Sequence, residues 1–230
     1  MPDYILPRPL AVLASLKVGY LDGEFWPHFV FTLSSTLTGY LLGCSVAIIV
    51  GAMLAESPTF EKCFYPFIVA LQSMPKVALA PLIIVWFGYG LASKVATVAL
   101  MCFFPVFVNT LAGIRSADPT LINMMKAFSA SSWMIFQRVK LFAAAGHIFA
   151  GLQISVVMSL IGAVVAEFVA STKGIGWLIQ SSMTNFNTAQ MFAALFSLVF
   201  IGLTGTRIIQ MVQSRVVFWN AGKQNVVASE

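Results

Sequence analysis

Long runs without a charged residue dominate this sequence and decide what it can fold into. Four runs contain no Asp, Glu, Lys or Arg, and a fifth contains only Lys76. Each reaches the ~20 helical residues that cross ~30 Å of hydrocarbon. The 13 basic and 8 acidic residues make up 9% of the chain, against about 25% in a soluble domain. A water-soluble fold is therefore excluded, and an all-α, polytopic membrane protein is predicted. The runs are residues 25–55, 63–93, 95–114, 141–166 and 174–206.

Five membrane-spanning helices are predicted within these runs. Basic residues near the ends of spans mark the cytoplasmic side, and most of them flank the connection 115–141 and the carboxyl end. This connection and the carboxyl terminus are therefore predicted to be cytoplasmic, with the amino terminus outside. We divide the chain into an external segment (1–28), a transmembrane domain (29–220) and a cytoplasmic tail (221–230). The predicted spans are 29–55, 64–87, 95–114, 146–170 and 190–210.

Small residues recur at every fourth position of the first span. Because four residues exceed one helical turn slightly, these positions form an inclined ridge that lets another backbone approach closely. The fourth span repeats the pattern from Gly151 to Ala163. We interpret both ridges as helix-packing surfaces. The ridge of the first span consists of Gly39, Gly43, Ala47, Gly51 and Ala55.

The connection 115–141 is the most informative segment. Asp118 before Pro119 is a favourable helix start, and apolar residues follow Leu121 at helical spacing. The run 129–132, Ser-Ala-Ser-Ser, favours a break and a new cap before a second helix that leads into the next span. Such a helix-turn-helix either presents its apolar face to a groove on a soluble partner or lies along the membrane surface. The residues alone leave both open.

The sequence contains no recognisable catalytic motif. The sequence has no GxxxxGK[ST] phosphate-binding loop, so it cannot bind ATP by that route. His28 and His147 fall near opposite membrane faces and cannot complete a hydrolytic triad. The three cysteines lie apart without metal-ligand spacing. A membrane enzyme is therefore disfavoured.

Two charged residues inside predicted spans have alternative interpretations. Glu167 lies near the outer end of the fourth span, where an ionised acid costs a few kcal/mol unless it faces water or a partner. One interpretation is functional: Glu167 lines the outer mouth of a pathway. The other is structural: Glu167 caps local backbone or joins an ion pair. Lys76 follows Pro75 and precedes Pro81, and this spacing makes a continuous helix improbable. It either faces a water-filled pathway or extends its long side chain to an interface.

Several motifs in order resemble the permease subunits of binding-protein-dependent ABC importers. The match is most similar to the sulfonate, taurine, nitrate and thiamine-pyrimidine permease group, and it covers nearly the whole chain. The coupling motif corresponds to residues 124–136, 151–153 and 166–167. Further matching motifs are residues 74–82, 86–90, 93–94, 104–110 and 174–176.

The resemblance implies the MetI-like architecture of type I importer permeases in a bacterial inner membrane. It implies a lipid-embedded permease homodimer, a dimer of ATPase subunits that binds ATP and Mg, and a periplasmic or extracellular solute-binding protein. The permease itself then holds no cofactor, and nucleic acid is not a partner. For contact with the ATPase it favours Met125, Lys126, Phe128, Ser129, Ala130, Ser131 and Trp133. For the translocation pathway it favours Lys76, Gln153, Ser159 and Glu167.

The favoured solute is a small aromatic heterocycle such as a thiamine-pyrimidine precursor, ahead of a sulfonate or nitrate. The alternatives are a gradient-driven carrier or channel without an ATPase partner, and a non-transporting membrane scaffold. Three departures from the family pattern accompany the match. Family members usually carry another hydrophobic helix before residues 5–9, so the chain either starts late or represents a five-span form. Ser129 replaces a common glycine, and Phe142 and Gly146 replace two prolines, which predicts a less rigid loop.

Overall fold

A computed structural model of the chain describes residues 7–220, and these residues form helices joined by short connections. The predicted tail 221–230 lies outside the described residues. The α-helices, named α1 to α10, are Pro9–Leu21, Phe25–Glu56, Pro58–Ser73, Ala80–Phe87, Leu91–Arg115, Pro119–Ala127, Ser132–Ile135, Leu141–Ala170, Ile175–Thr184 and Thr188–Val216. Short 3-10 helices lie at Lys76–Leu79 and Phe218–Asn220, and a π-helical turn lies at Phe136–Lys140.

Within residues 7–220, four continuous helices are long and apolar enough to cross a membrane. They are Phe25–Glu56, Leu91–Arg115, Ser132–Ala170 and Thr188–Val216. They contain four of the five predicted spans, and each extends beyond the predicted limits. The third of them combines α7, the π-helical turn and α8 in 39 residues.

The remaining predicted span, 64–87, is not one helix. The chain leaves helical geometry between Ser73 and Lys76, where Pro75 has ψ 96°. Proline has no backbone N–H and disfavours a helical conformation at the preceding residue, so the break falls where the two prolines predicted it. Pro81 is tolerated because it lies in the first turn of α4, where a backbone N–H has no partner within the helix.

Two compact units make up the fold, and each long helix contributes one part to each unit. The described residues of unit 1 are 7–43, 75–102 and 156–205. A buried apolar cluster there joins α1, α2, α9 and α10 through residues such as Val12, Phe25, Ile175 and Ala193. The described residues of unit 2 are 44–74, 103–155 and 206–220.

The small-residue ridge of α2 is a helix-packing surface, as predicted, and the structure identifies α5 as the helix that packs on it. In unit 1, a Cβ atom added to Gly39 would lie 2.5 Å from Cβ of Val98, and one added to Gly43 would lie 2.8 Å from Cα of Ala99. In unit 2, a Cβ atom on Gly51 would lie 3.0 Å from Cβ of Thr110. Real Cβ atoms essentially never come within 3.0 Å of another atom, so Gly39 and Gly43 bring two helix backbones together, and the space at Gly51 is also tight.

Candidate functional site

The helix predicted after Asp118 is α6, and the predicted cap is present. Asp118 has extended backbone, and its side chain accepts a hydrogen bond of 2.7 Å from the backbone N–H of Thr120. Pro119 occupies the first helical position, where its missing N–H costs nothing. Leu121 and Met124 are exposed. The helix therefore begins at a defined residue and leaves apolar side chains at the surface of the chain.

The turn between α6 and α7, residues 128–131, has a defined backbone geometry. Ser129 has φ +58°. Its N–H donates to the carbonyl of Lys126 at 2.9 Å, and the N–H of Ala130 donates to the carbonyl of Met125 at 3.0 Å. This is the Schellman arrangement, whose left-handed residue is usually glycine because a Cβ atom disfavours that backbone. Serine at position 129 therefore carries a steric cost that glycine would avoid.

Ser129→Gly is expected to stabilise this turn by about 0.5–1 kcal/mol, because glycine adopts positive φ without steric cost. Hydrogen exchange of the amides of residues 129 and 130 should slow by roughly two- to fivefold. Ser132→Gly is the matched control, since Ser132 has ordinary helical backbone at the start of α7. It should accelerate exchange in α7. Equal effects of the two substitutions would exclude strain at Ser129.

The second predicted cap is Ser131, which begins the helix leading into the fourth span. Its Oγ accepts a 3.2 Å hydrogen bond from the backbone N–H of Met134. Helical structure then continues through the π-helical turn into α8. Phe142 and Gly146, at the positions of the two missing prolines, lie within regular α8. No Pro or Gly in residues 136–140 indicated the π-helical turn.

The seven residues predicted to contact an ATPase subunit lie on this one turn and its flanking helices. Phe128 is 79% exposed and Trp133 is 65% exposed. Lys126, Ser129 and Ser131 are also exposed, and Met125 and Ala130 are partly buried. Large exposed apolar side chains on a fixed turn are typical of a protein-binding surface. Their contact with an ATPase stays a prediction.

Two ion pairs hold the ends of the connection 115–141 within unit 2. Arg115 pairs with Glu61, and Lys140 Nζ lies 2.6 Å from Glu56 Oε1. All four side chains are partly exposed, so each pair contributes at most about 1 kcal/mol. Their effect is positional, because both ends of the connection are tied to the corner between α2 and α3.

An open cavity of about 1190 Å³ lies in unit 2 beside the connection. Its wall includes side chains from the first half of α8 and the last turns of α10. Gln153, a predicted pathway residue, lines it and donates a hydrogen bond from Nε2 to Oε1 of Gln213. Sequence reasoning did not identify Gln213, because residues 60 positions apart have no local pattern to connect them.

The predicted pathway residue Glu167 is completely buried in unit 1. Its Oε1 accepts a 2.8 Å hydrogen bond from Thr32 Oγ1, and its Oε2 accepts a 2.7 Å hydrogen bond from the N–H of Gly176. Thr32 Oγ1 in turn accepts from the N–H of Ile175 at 2.7 Å. The carboxyl group thus caps the first turn of α9, which is the second of the two interpretations left open by the sequence. We call Glu167, Thr32, Gly174, Ile175 and Gly176 the Glu167 cluster.

The Gly-Ile-Gly motif is explained by this cluster. Gly174 has φ +113°, and a Cβ atom there would lie 2.5 Å from both carboxyl oxygens of Glu167. A Cβ atom on Gly176 would lie 2.9 Å from Oε2. Both positions therefore require glycine for the carboxyl group to reach the backbone of α9.

Lys94 is a buried residue whose role the sequence did not indicate. From the sequence it is only a basic residue next to the predicted span 95–114, on the side opposite the connection 115–141. Its Nζ donates to the carbonyl of Tyr89 at 2.7 Å and to the carbonyl of Ala170, the last residue of α8. A cation at this position satisfies carbonyl groups at the negative end of a helix dipole.

The four predicted pathway residues are divided between the two units, and their role in a pathway stays a prediction. Lys76 is partly buried at the start of its 3-10 helix. Ser159 is buried, and its Oγ donates to the carbonyl of Val156 at 2.6 Å. Both belong with Glu167 to unit 1, whereas Gln153 belongs to unit 2.

Comparison with protein families and curated sequences gives consistent matches. The profile of a family described as a binding-protein-dependent transport system inner membrane component matches residues 27–218. The riboflavin transport system permease protein RibX of Chloroflexus aurantiacus is 37% identical, over 96% of this chain and 82% of that protein. The formylaminopyrimidine transport permease protein ThiX of Halalkalibacterium halodurans is 30% identical, over 94% of this chain and 86% of that protein. The taurine transport system permease protein TauC of Escherichia coli is 28% identical, over 95% of this chain and 82% of that protein.

Two solved structures have similar folds. One is the crystal structure of an amino acid ABC transporter with histidines, with a TM-score of 0.68 and 18% identity over 87% of this chain and 98% of that chain. The other is an inward-facing MetNI methionine ABC transporter, with a TM-score of 0.67 and 18% identity over 87% and 96%. The predicted all-α, MetI-like architecture is therefore confirmed.

Proposed function

Because the chain belongs to the family of binding-protein-dependent transport system inner membrane components, we propose that an ATPase subunit binds its α6–α7 turn and thereby drives solute uptake. The chain is a multi-pass permease of an ABC importer and not the ATPase. In such systems ATP is bound by the partner subunit, and a binding protein supplies the solute. The proposal concerns the residues by which this permease is coupled and the solute that it carries.

The observation that carries the proposal is an exposed apolar surface on a turn of fixed geometry. Caps at Asp118 and Ser131 define the ends of both helices, and the Schellman hydrogen bonds fix the turn between them. Phe128 and Trp133 project from this rigid backbone. A partner that binds here moves a defined element, because the side chains that it contacts cannot move independently of the helices.

Transmission from the turn relies on the 39-residue helix Ser132–Ala170. A displacement of α7 passes along this helix, and the ion pairs of Arg115 and Lys140 carry it to α2, α3 and α5. The permease is taken to have two conformations whose populations shift from about 1:99 to 99:1. This shift requires the ATPase, on changing its nucleotide state, to change its relative affinity for the two conformations by roughly 5.5 kcal/mol. We place the α6–α7 turn on the cytoplasmic side and two permeases in the assembly.

A small aromatic heterocycle is the proposed solute. Relatives named for riboflavin and formylaminopyrimidine transport share 37% and 30% of aligned residues with this chain, and the one named for taurine transport shares 28%. The binding protein would deliver the solute to the opposite side of the membrane. We propose Phe186 as one contact of that protein, because it follows α9 and its side chain is 81% exposed.

Ser129→Arg tests the coupling role. We expect normal membrane insertion and at least a fivefold loss of solute-stimulated ATPase activity in the reconstituted complex, because a long cation enlarges the exposed turn that the ATPase must accommodate. The measurement is ATP hydrolysis with and without the solute-loaded binding protein. Thr172→Arg, at an exposed position between α8 and α9, is the control and should keep full stimulation.

Two results would contradict the proposal. Unchanged stimulation in Ser129→Arg would remove the docking role from the turn. Uptake by proteoliposomes that contain the permease without any ATPase subunit would support a gradient-driven carrier instead.

A further inference from the structure

The cavity in unit 2 combines hydrogen-bonding and aromatic side chains. Its volume, about 1190 Å³, exceeds the several hundred Å³ typical of small-molecule sites. Gln153 and Gln213 contribute amides from α8 and α10, and Phe142 and Trp219 contribute rings whose centroids lie 5.0 Å apart. Such a wall accommodates a flat molecule that both stacks and forms hydrogen bonds.

The two glutamines are paired with each other, and this pair offers a specific combination of hydrogen-bonding groups to a ligand. The bond from Gln153 Nε2 to Gln213 Oε1 uses one donor and one acceptor. Gln153 keeps its carbonyl oxygen, and Gln213 keeps its amino group, for another partner. If both side-chain amides are rotated by 180°, Gln213 becomes the donor of the bond and Gln153 the acceptor. One acceptor and one donor then still remain for a ligand. A complementary ligand therefore presents a donor and an acceptor on one edge, as imides, lactams and aminopyrimidines do.

The wall carries no excess of formal positive charge that would favour an anionic ligand. Arg138 and Asp118, whose formal charges cancel, line the cavity, and so does His147. A sulfonate presents only acceptors and requires several donors or cations when it leaves water. The amide pair offers one of its two groups as an acceptor, which an acceptor-only ligand cannot use.

We infer that this cavity holds the imported solute on its way to the cytoplasm, and that the solute is a planar nitrogen heterocycle with a donor and an acceptor on one edge. The inference rests on the proposed function, which assigns import to the chain. It adds a binding site made of Gln153, Gln213, Phe142 and Trp219, and a chemical class of solute that this site selects.

Riboflavin is a suitable probe because it carries an imide edge and is fluorescent, and cytosine is a second probe with an aminopyrimidine edge. The permease–ATPase complex in lipid nanodiscs is titrated with riboflavin, and quenching of its fluorescence by stacking is followed. Cytosine and ethanesulfonate are then added as competitors. We expect saturable quenching that cytosine reverses and ethanesulfonate does not.

Gln153→Leu should raise the dissociation constant of riboflavin about five- to tenfold, because one hydrogen bond is lost and Gln213 loses its partner. Gln180→Leu is the matched control, since Gln180 is exposed on α9 in unit 1. It should change binding less than twofold. Phe142→Leu keeps the amide pair and should weaken binding about threefold through lost stacking, so the test does not depend on one variant.

In proteoliposomes that take up riboflavin, Gln153→Leu should lower the rate of uptake when the riboflavin concentration is below saturation.

Failure of the inference can be separated from failure of the proposed function. The inference is overturned if neither riboflavin nor cytosine binds, or if Gln153→Leu binds them as tightly as wild type. It is also overturned if a variant that no longer binds riboflavin still takes it up at the wild-type rate. Ser129→Arg is assayed in the same preparation. If it abolishes stimulation while ethanesulfonate is the ligand that binds, the coupling role stands and the heterocycle site is wrong.

Discussion

Glu167→Gln is expected to lower the free energy of unfolding of the permease by about 2–4 kcal/mol, because a glutamine can accept only one of the two buried hydrogen bonds and adds N–H donors to a buried site. Both carboxyl oxygens of Glu167 accept hydrogen bonds, one from Thr32 and one from Gly176. A glutamine has only one carbonyl oxygen, so its amino group must face either the hydroxyl of Thr32 or the N–H of Gly176. The glutamine cannot restore both hydrogen bonds by turning over.

The measurement is the midpoint of thermal unfolding in detergent, together with the yield of monodisperse permease. Glu61→Gln is the matched control, because the same substitution there alters a partly exposed ion pair with Arg115 and should cost less than about 1 kcal/mol. Equal unfolding midpoints for wild type and Glu167→Gln would show that the buried hydrogen bonds contribute no stability.

Thr32 provides an independent test of the same cluster. Its hydroxyl donates to Glu167 and accepts from Ile175, so Thr32→Ser should keep most of the stability. Thr32→Val has a similar shape but removes both hydrogen bonds and should cost about 1–3 kcal/mol. The double variant Thr32→Val with Glu167→Gln should cost less than the sum, since the two side chains share one bond. Strict additivity of the two costs would argue against the shared network.

Local features of the connection 115–141 were predictable because their signals are adjacent in sequence. Asp118-Pro119 marks a helix start, and the serines around Ala130 mark a break, through hydrogen bonds that span only two or three residues. The interruption at Pro75 was predictable for the same reason. The small-residue ridge of α2 required only helical periodicity, although periodicity did not reveal that α5 packs on it.

Features that depend on distant residues were not predictable from one sequence. Thr32 and Glu167 are separated by 135 positions, and the sequence could place Glu167 only at a depth where two interpretations remained. The role of Lys94 was not predictable because one of its two acceptors, the carbonyl of Ala170, lies 76 positions away. The left-handed backbone of Ser129 follows from the hydrogen bonds of the whole turn and not from serine itself.

The contact between α2 and α5 in unit 1 gives the second large expected effect. Gly43→Ala should lower the unfolding midpoint strongly, with a cost of about 3 kcal/mol, because the added Cβ atom meets the backbone of Ala99. Its ideal position is 2.8 Å from Cα of Ala99 and 2.9 Å from the carbonyl carbon. Backbone atoms cannot turn aside as a side chain does, so the two helices must separate and lose van der Waals contacts along the ridge.

Gly90→Ala is the matched control for this substitution, because nothing lies within 4 Å of a Cβ atom at Gly90. It should change the unfolding midpoint by less than a third of the shift in Gly43→Ala. The combination of Gly43→Ala with Ala99→Gly should remain destabilised, since the obstructing atoms belong to the backbone and persist when the side chain of Ala99 is removed. Recovery of wild-type stability in that combination would show that side-chain crowding, and not backbone approach, requires glycine on this ridge.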